Sequence, residues 1–280
     1  MKLAVAQWQI RPISSFEDFA EHLRELVHQS RGADLLLLPE CFSLELLALA
    51  GVLPYPEEAR WLASKWLDIL ATLKSVAEES GLAIIGGSHF QPLADGRILN
   101  TTPIVSRDGE IRVQPKNKVT AFERDDWRIS AGEGLADTGQ FRTGVMICYD
   151  SEFPEGARVL AERGVGLIAV PAFTETRRGF QRVRWSCLAR AVENQVFVAH
   201  ASLVGSLGRE PVPNAVGTSG VFAPSVEPFP ESAVLAECPW NEEAVVVADL
   251  DFDLLEQARA SGDVRNWYDR DPSCWTRDGT

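Results

Sequence analysis

Three polar side chains stand where apolar runs end, and together their types are suited to acyl-transfer chemistry. Glu40 closes "DLLLLPE", Lys116 closes "EIRVQPK" and Cys148 closes "GVMIC". A thiol attacks a carbonyl carbon well only as its thiolate, and an ordinary cysteine pKa of about 8.5 means that it needs a base or a cation beside it near neutrality. A carboxylate and an ammonium would meet that need. Each residue also has an ordinary structural reading. A cysteine at the end of an apolar strand is commonly a small buried hydrophobe. A glutamate at the edge of a buried strand must be paired, hydrated or functional. A lysine beside Asn117 and Lys118 commonly belongs to a solvated charge cluster. Taken singly, the three leave both readings open.

The elements around them follow from hydrophobic period and punctuation. "KLAVAQW" reads as a first strand, followed by a helix over "SSFEDFAEHLRELVHQSRG" with a Ser14/Glu17 capping-box pattern and Gly32 at its end. "DLLLLPE" is a wholly apolar run stopped by proline, as expected of a strand buried on both faces, so Glu40 belongs at its carboxyl edge. One long amphipathic helix is expected over "PEEARWLASKWLDILATLKSVAEESG", then a strand over "LAIIGGSHF". Two strands flanking a hairpin turn at Asp108-Gly109 place Lys116 just past the second. "GQFRTGVMICYD" reads as a strand ending near Cys148, with a helix from Pro154 and a buried strand in "VGLIAVPAF". A helix over "FQRVRWSCLARAVENQ" and a strand in "VFVAHASLVG" follow. Two Gly- and Pro-rich loops then surround "GTSGVF", and "EAVVVADLDFDLLEQARASG" closes with strand and helix.

Buried strands alternate with helices, yet hairpins intrude, so the expected class is α/β with two mixed sheets in a four-layer α-β-β-α sandwich. One domain over residues 1–280 is expected, because 280 residues with 45% apolar composition can bury one large core. Ligands in such sheets gather beyond the carboxyl ends of strands, where Glu40, Lys116 and Cys148 all fall.

Charge and composition narrow the function classes. A net charge of -13 argues against a nucleic-acid or anionic-membrane surface and leaves small neutral or cationic molecules as partners. No apolar stretch approaches the roughly 18 residues of a membrane span, and "MKLAVAQWQIRP" lacks the apolar core of a signal peptide, so a cytoplasmic protein is expected. The five scattered cysteines contain no CxxC pair, and the four histidines share no metal-ligand spacing with them. Neither a metal nor an organic cofactor is expected.

Taken together and in order, these residues resemble a known family. Glu40 in "LLLLPE", Lys116 in "QPKNKVTAFE" and Cys148 in "GVMICYDSEFPE" look like the Glu-Lys-Cys triad of the nitrilase superfamily, the carbon-nitrogen hydrolases. "GRILNTTPIVSRDGEI", "LIAVPAFT", "LARAVENQVFVAHASLVG" and "VVVADLDFDLLEQARASGDV" are similar to its accessory blocks, so that the resemblance runs from Met1 to about Asp269. It implies hydrolysis of a non-peptide C–N bond, in an amide or N-carbamoyl substrate, through a thioester. Glu40 would act as base, Cys148 as nucleophile and Lys116, with the Tyr149 backbone N–H, as oxyanion stabiliser. Glu123 matches a further glutamate that orients substrate or lysine in the family, Phe173 and Thr174 match the pocket wall, and Asn100 and Arg158 match scaffold positions. Glu193 and Asn194, at a helix end, are expected to support the site.

Two departures bear on substrate. Glu152 stands where many members carry an arginine, and "NKVT" follows Lys116 in place of the frequent "xHLF", leaving Lys118 as an alternative lysine. Tyr149 after the cysteine, instead of tryptophan-glutamate, favours amides over nitriles. Nitrile hydrolysis on the same triad is the alternative chemistry. Rival readings pair Cys148 with His200 or His89 as in Cys-His hydrolases, or keep the fold as a small-molecule binding protein without turnover. The resemblance also implies a homodimer or higher homo-oligomer. The tail "RNWYDRDPSCW", with Trp267, Tyr268 and Trp275, is expected either to pack on a partner or to cover its own core.

Overall fold

The computed structural model describes residues 1–271 except 137 and 140. Strand β1 (Lys2–Ile10) leads through α1 (Phe16–Gln29) to β2 (Leu35–Leu37), then to α2 (Tyr55–Ala63) and α3 (Trp66–Ser80). The strands β3 (Ala83–Ile85), β4 (His89–Pro92), β5 (Ile98–Val105) and β6 (Ile111–Pro115) precede a short α4 (Ala121–Asp125). Alternation resumes with β7 (Thr143–Val145), α5 (Pro154–Glu162), β8 (Leu167–Ala172), α6 (Arg177–Asn194) and β9 (Phe197–Gly205). The strands β10 (Gly220–Phe222), β11 (Val234–Glu237) and β12 (Ala244–Asp249) and helix α7 (Phe252–Ser261) complete the α/β fold.

The strands form two sets. In the first, β1, β2 and β3 are parallel, β12 lies antiparallel on β1, and β5 runs antiparallel to β3, β4 and β6. In the second, β7, β8 and β9 are parallel while β10 and β11 continue antiparallel. The two sets meet along one short pairing. The last residues of β1, Trp8 to Ile10, pair with Leu203 to Gly205 of β9, so strand pairing is continuous across all twelve strands.

Alternation along the strands shows what each face meets. Leu3, Val5, Leu35, Leu37, Ala83 and Ile85 share one apolar cluster with Val145, Leu167, Ala169 and Ala199 of the second set. Their neighbours Ala4, Ala6, Trp8, Leu36 and Ile84 cluster with Phe19, Leu23 and Leu26 of α1 and Ile69, Leu73 and Val76 of α3. Strands buried on both faces explain the uninterrupted "LLLL" and "LIAV" runs.

Several local expectations are corrected. The α1 capping box is Ser15 with Asp18, because the Asp18 carboxylate reaches back to the Ser14 and Ser15 N–H groups at 2.7 and 3.1 Å. The expected long helix is two, broken at Ser64 and Lys65, where the Ser64 hydroxyl donates to the Trp61 carbonyl and competes with the helical ladder. "LAIIGGSHF" holds two strands, separated at Gly86-Gly87. Gly87 has φ +59, and a Cβ there would stand 2.1 Å from the Pro39 carbonyl oxygen, so only glycine lets the chain pass the peptide ahead of Glu40. In the tail, Trp267 packs against the core under the guanidinium groups of Arg158 and Arg259, at 5.8 and 5.3 Å, while Tyr268 is exposed. Trp275 lies outside the described residues. No helix among those described is long and apolar enough to cross a membrane.

Candidate active site

Two strand ends turn the same way. After β2, Pro39 stops the strand, Cys41 takes φ +54, and a 3-10 helix runs Phe42–Leu49; after β7, Cys148 takes φ +45 and a 3-10 helix runs Cys148–Glu152. Left-handed backbone is uncommon for a residue with a Cβ and costs on the order of 1–3 kcal/mol, which the surrounding contacts must offset. Around Cys148 those contacts are the Ser151 hydroxyl on the Cys148 carbonyl at 2.7 Å and the Arg190 guanidinium on the Ser151 carbonyl at 3.0 Å. The expected strand end at Cys148 is therefore a turn, which lifts the thiol out of the sheet.

The first turn presents Glu40, 3% exposed. One carboxylate oxygen accepts from Lys116 Nζ at 2.7 Å and Asn100 Nδ2 at 3.0 Å, and the other from the Phe173 N–H at 3.0 Å. Lys116 follows β6 directly, its N–H still donating to the Asn100 carbonyl at 2.8 Å, and its ammonium makes a second contact with Glu123 Oε2, also at 2.7 Å. Glu123 belongs to α4, where it forms a capping box with Thr120 and accepts from Asn100 Nδ2 at 2.9 Å. Asn100, which the sequence offered only as scaffold, thus bridges both carboxylates from the middle of β5. Its role was hidden because a polar residue in a strand carries no sign of which side chains it will reach.

Burial pushes the Glu40 carboxyl above its ordinary range; Lys116 offsets that only in part, and the Glu123 charge adds to it. Glu123 is also buried, yet Lys116 and the Thr120 N–H hold it below the usual carboxylate range. Burial works against the Lys116 charge, but Glu123 and Glu40 hold the ammonium well above its ordinary value. A cation beside a thiol lowers its pKa. The net direction is upward, because burial and the Glu40 charge outweigh Lys116, whose charge is shared between two carboxylates. A resting thiol with a high-pKa carboxylate beside it needs a proton transfer to become a nucleophile.

Glu40, Lys116, Glu123, Cys148, Tyr149, Phe173 and Thr174 all line one cavity of about 270 Å3. Phe173 contributes backbone, its carbonyl facing the Cys148 Sγ at 3.6 Å, and Thr174 is tied to Val216 through its hydroxyl at 2.8 Å. The wall also holds Phe122, Trp127, Glu152, Glu175 and Arg182, of which only Glu152 stood out in the sequence. Trp127 and Phe122 meet edge to face at 4.8 Å. Lys118 is elsewhere, its ammonium over the Phe153 ring at 5.4 Å. Arg158 and Glu193 are joined away from the cavity, through the Glu193 carbonyl.

The histidines stand apart from Cys148. His89 donates to the Leu62 carbonyl at 2.8 Å and meets the Ser43 hydroxyl, while His200 stacks on Phe180, and burial pulls both imidazoles down to about 3. Among the described residues, no group of three or more His, Cys, Asp and Glu is placed to hold a metal ion.

The chain matches the family model for carbon-nitrogen hydrolase over residues 2–260. It is 35% identical over 275 residues to a probable hydrolase, YhcX, of Bacillus subtilis (strain 168), covering 96% of this chain and 53% of that protein, so the chain spans about half of that relative's length. Against omega-amidase NIT2 of Homo sapiens it is 30% identical, covering 92% of this chain and 91% of the relative. Nit3 of Saccharomyces cerevisiae, a member of the nitrilase superfamily, superposes with a TM-score of 0.75 at 24% identity over 92% of this chain and 93% of Nit3, a likeness of fold. An amidase from Nesterenkonia sp. superposes with a TM-score of 0.72 at 25% identity over 93% of this chain and 94% of that one. Matched by its family model along most of its length, the chain belongs to the carbon-nitrogen hydrolases of the nitrilase superfamily.

Proposed function

We propose that the protein hydrolyses the C–N bond of small amide or N-carbamoyl substrates through a thioester on Cys148. The observation that carries this reading is the Lys116 ammonium, 2.7 Å from Glu40 and 2.7 Å from Glu123, in the cavity that also holds the Cys148 thiol. Glu40 takes the thiol proton, and the sulfur attacks the carbonyl carbon. Lys116 and the Tyr149 N–H stabilise the oxyanion that forms. The intermediate collapses with cleavage of the C–N bond as protonated Glu40 returns its proton to the departing nitrogen. Water, losing a proton to the same carboxylate, then attacks the thioester, and the acid leaves as the thiol is restored. Glu123, held ionised, keeps Lys116 in place throughout.

Several relatives support an amide substrate. Two are the omega-amidases of Xenopus laevis and Homo sapiens, and a mutant of the Nesterenkonia amidase carries the Michael adduct of acrylamide on its active site cysteine, a sign of a reactive thiol in that enzyme. The test is a panel of primary amides, ω-amides, N-carbamoyl amino acids and nitriles, following ammonia release and intact mass with Cys148→Ala as control. Turnover of an amide class that is lost in the variant, with an acyl adduct on the wild type, supports the reading. Turnover that survives in Cys148→Ala refutes it.

A further inference from the structure

We propose that Asp150 is a positioning residue whose carboxylate sets the spacing between Lys116 and Cys148, by stitching the turn after β6 to the turn after β7. The inference rests on the catalytic reading above. Its ground is a set of backbone contacts one or two residues away from each reacting side chain. Asp150 Oδ1 accepts from the Lys118 N–H at 2.7 Å and the Asn117 N–H at 3.2 Å, immediately after Lys116. Oδ2 accepts from the Ile147 N–H at 3.1 Å, immediately before Cys148.

No strand ladder does this work. The pairings of β6 are with β5, and those of β7 are with β8, so the strands that deliver the lysine and the cysteine share no register. The carboxylate supplies the missing cross-link. It is 6% exposed and lies outside the substrate cavity, in the wall of a second cavity with Asn117, Lys118, Met146 and Phe153. A group there touches no substrate; it acts through the backbone it holds and, at longer range, through its charge on Lys116, which Asp150→Glu keeps and Asp150→Asn removes. Burying a carboxylate is costly unless it is well bonded, and burial pushes this one up to about 6. Asparagine in its place would set an NH2 against at least one of the N–H groups. A displacement of about 1 Å between reacting groups can cost on the order of 100-fold in rate.

The test compares the wild type with Asp150→Asn and Asp150→Glu. Two quantities are measured: kcat and KM for the amide that the wild type turns over fastest, and the pH profile of iodoacetamide alkylation at Cys148, located by peptide mass. The charged groups acting on that thiol are Glu40 and Lys116, and the Phe173 backbone contacts it as well; all are retained in the variants. Expected are a fall in kcat of roughly 100-fold with KM within about twofold, and an alkylation profile moved upward by about one pH unit as Lys116 recedes. A kcat within about threefold of wild type, or an unmoved profile in a variant that folds, overturns the proposal. If neither variant folds, the carboxylate serves the fold instead, and the proposal is again overturned. Turnover by Cys148→Ala would count against the catalytic reading alone, because the alkylation profile reports on Asp150 without any substrate.

Discussion

Glu40 and Glu123 accept hydrogen bonds from the same ammonium at the same distance, 2.7 Å, and from the same Asn100 amide nitrogen, yet their titrations move in opposite directions. The difference lies in how far the partners offset burial. Each carboxylate also accepts one backbone N–H, Thr120 for Glu123 and Phe173 for Glu40. For Glu123, Lys116, Thr120 and Asn100 outweigh burial, whereas for Glu40 burial and the Glu123 charge prevail over Lys116. Two carboxylates pushed apart in this way are suited to different roles, one moving protons and one staying charged.

Glu40→Gln and Glu123→Gln should therefore fail differently. Losing the proton carrier is expected to lower kcat by about 100- to 10,000-fold and to suppress the acyl adduct. Losing the lysine's second anchor is expected to cost less, roughly 10- to 100-fold, with the adduct still forming. Ammonia release and intact mass on both variants check this, and equal losses would dissolve the division of labour.

Substitution of His200 or His89 by alanine is expected to leave Cys148 chemistry in place, whereas Lys116→Ala abolishes it. The two imidazoles matter for acid stability. Their folded pKa values of about 3 lie below the ordinary 6.5, so the unfolded chain binds more protons between those values and stability falls as pH drops through that window. Asp150, raised to about 6, opposes this in part between its ordinary 3.8 and 6. Thermal unfolding of His200→Leu should show a shallower loss of Tm on acidification than the wild type, and an unchanged slope would contradict the assignment.

His22 is the opposite case. Burial works against its charge, but hydrogen bonds with Glu243 at 2.6 Å and Glu45 at 3.1 Å raise its pKa above 6.5. Its stabilisation is complete below the unfolded value and fades as pH rises through the folded one. His22→Phe keeps a ring against Trp8, 3.9 Å away between centroids, but leaves Glu45 without its imidazole. The expected cost is about 3 kcal/mol, a Tm loss on the order of 10 °C, narrowing as pH rises. A gap that widened instead would mean that His22 is neutral.

Glu152 lines the cavity at 20% side-chain exposure, 3.4 Å from Arg182, and Glu175 stands on the same wall. Amides bearing a distal carboxylate should therefore be poor substrates beside neutral ones. Glu152→Arg is expected to raise kcat/KM for a carboxylated ω-amide by roughly tenfold relative to a neutral amide. Unchanged selectivity would place the determinant elsewhere on the wall.

Glu40 and Cys148 were conspicuous in the sequence because each directly follows an unbroken apolar run, whereas Lys116, after the alternating β6, stood out through the family resemblance. The Asp108-Gly109 hairpin and the helix from Pro154 were legible from local backbone preference, and both form. The Asn100 bridge, Trp127 and Arg182 were not, since Asn100 reaches Glu40 and Glu123 from a strand, while Trp127 and Arg182 reach the cavity from the segment after α4 and from a helix face whose neighbours only tertiary packing defines. The upward shift of the thiol was hidden for a related reason. Residue types suggest a cation beside a cysteine, but not that two carboxylates already share it.

The seam of β1 on β9 gives the chemistry the character of a coincidence detector. Glu40, Asn100, Lys116 and Glu123 hang from the first set of strands and α4, Cys148 and Phe173 from the second, and the two sets are hydrogen-bonded to each other at Trp8 to Ile10 against Leu203 to Gly205. On the proposed catalytic reading, a slip of that seam that also broke the Phe173 bond to Glu40 and the Asp150 bonds to Asn117 and Lys118 would part Glu40 from Cys148 while leaving each half's own ladders intact, so activity would be lost before the strands themselves unfolded.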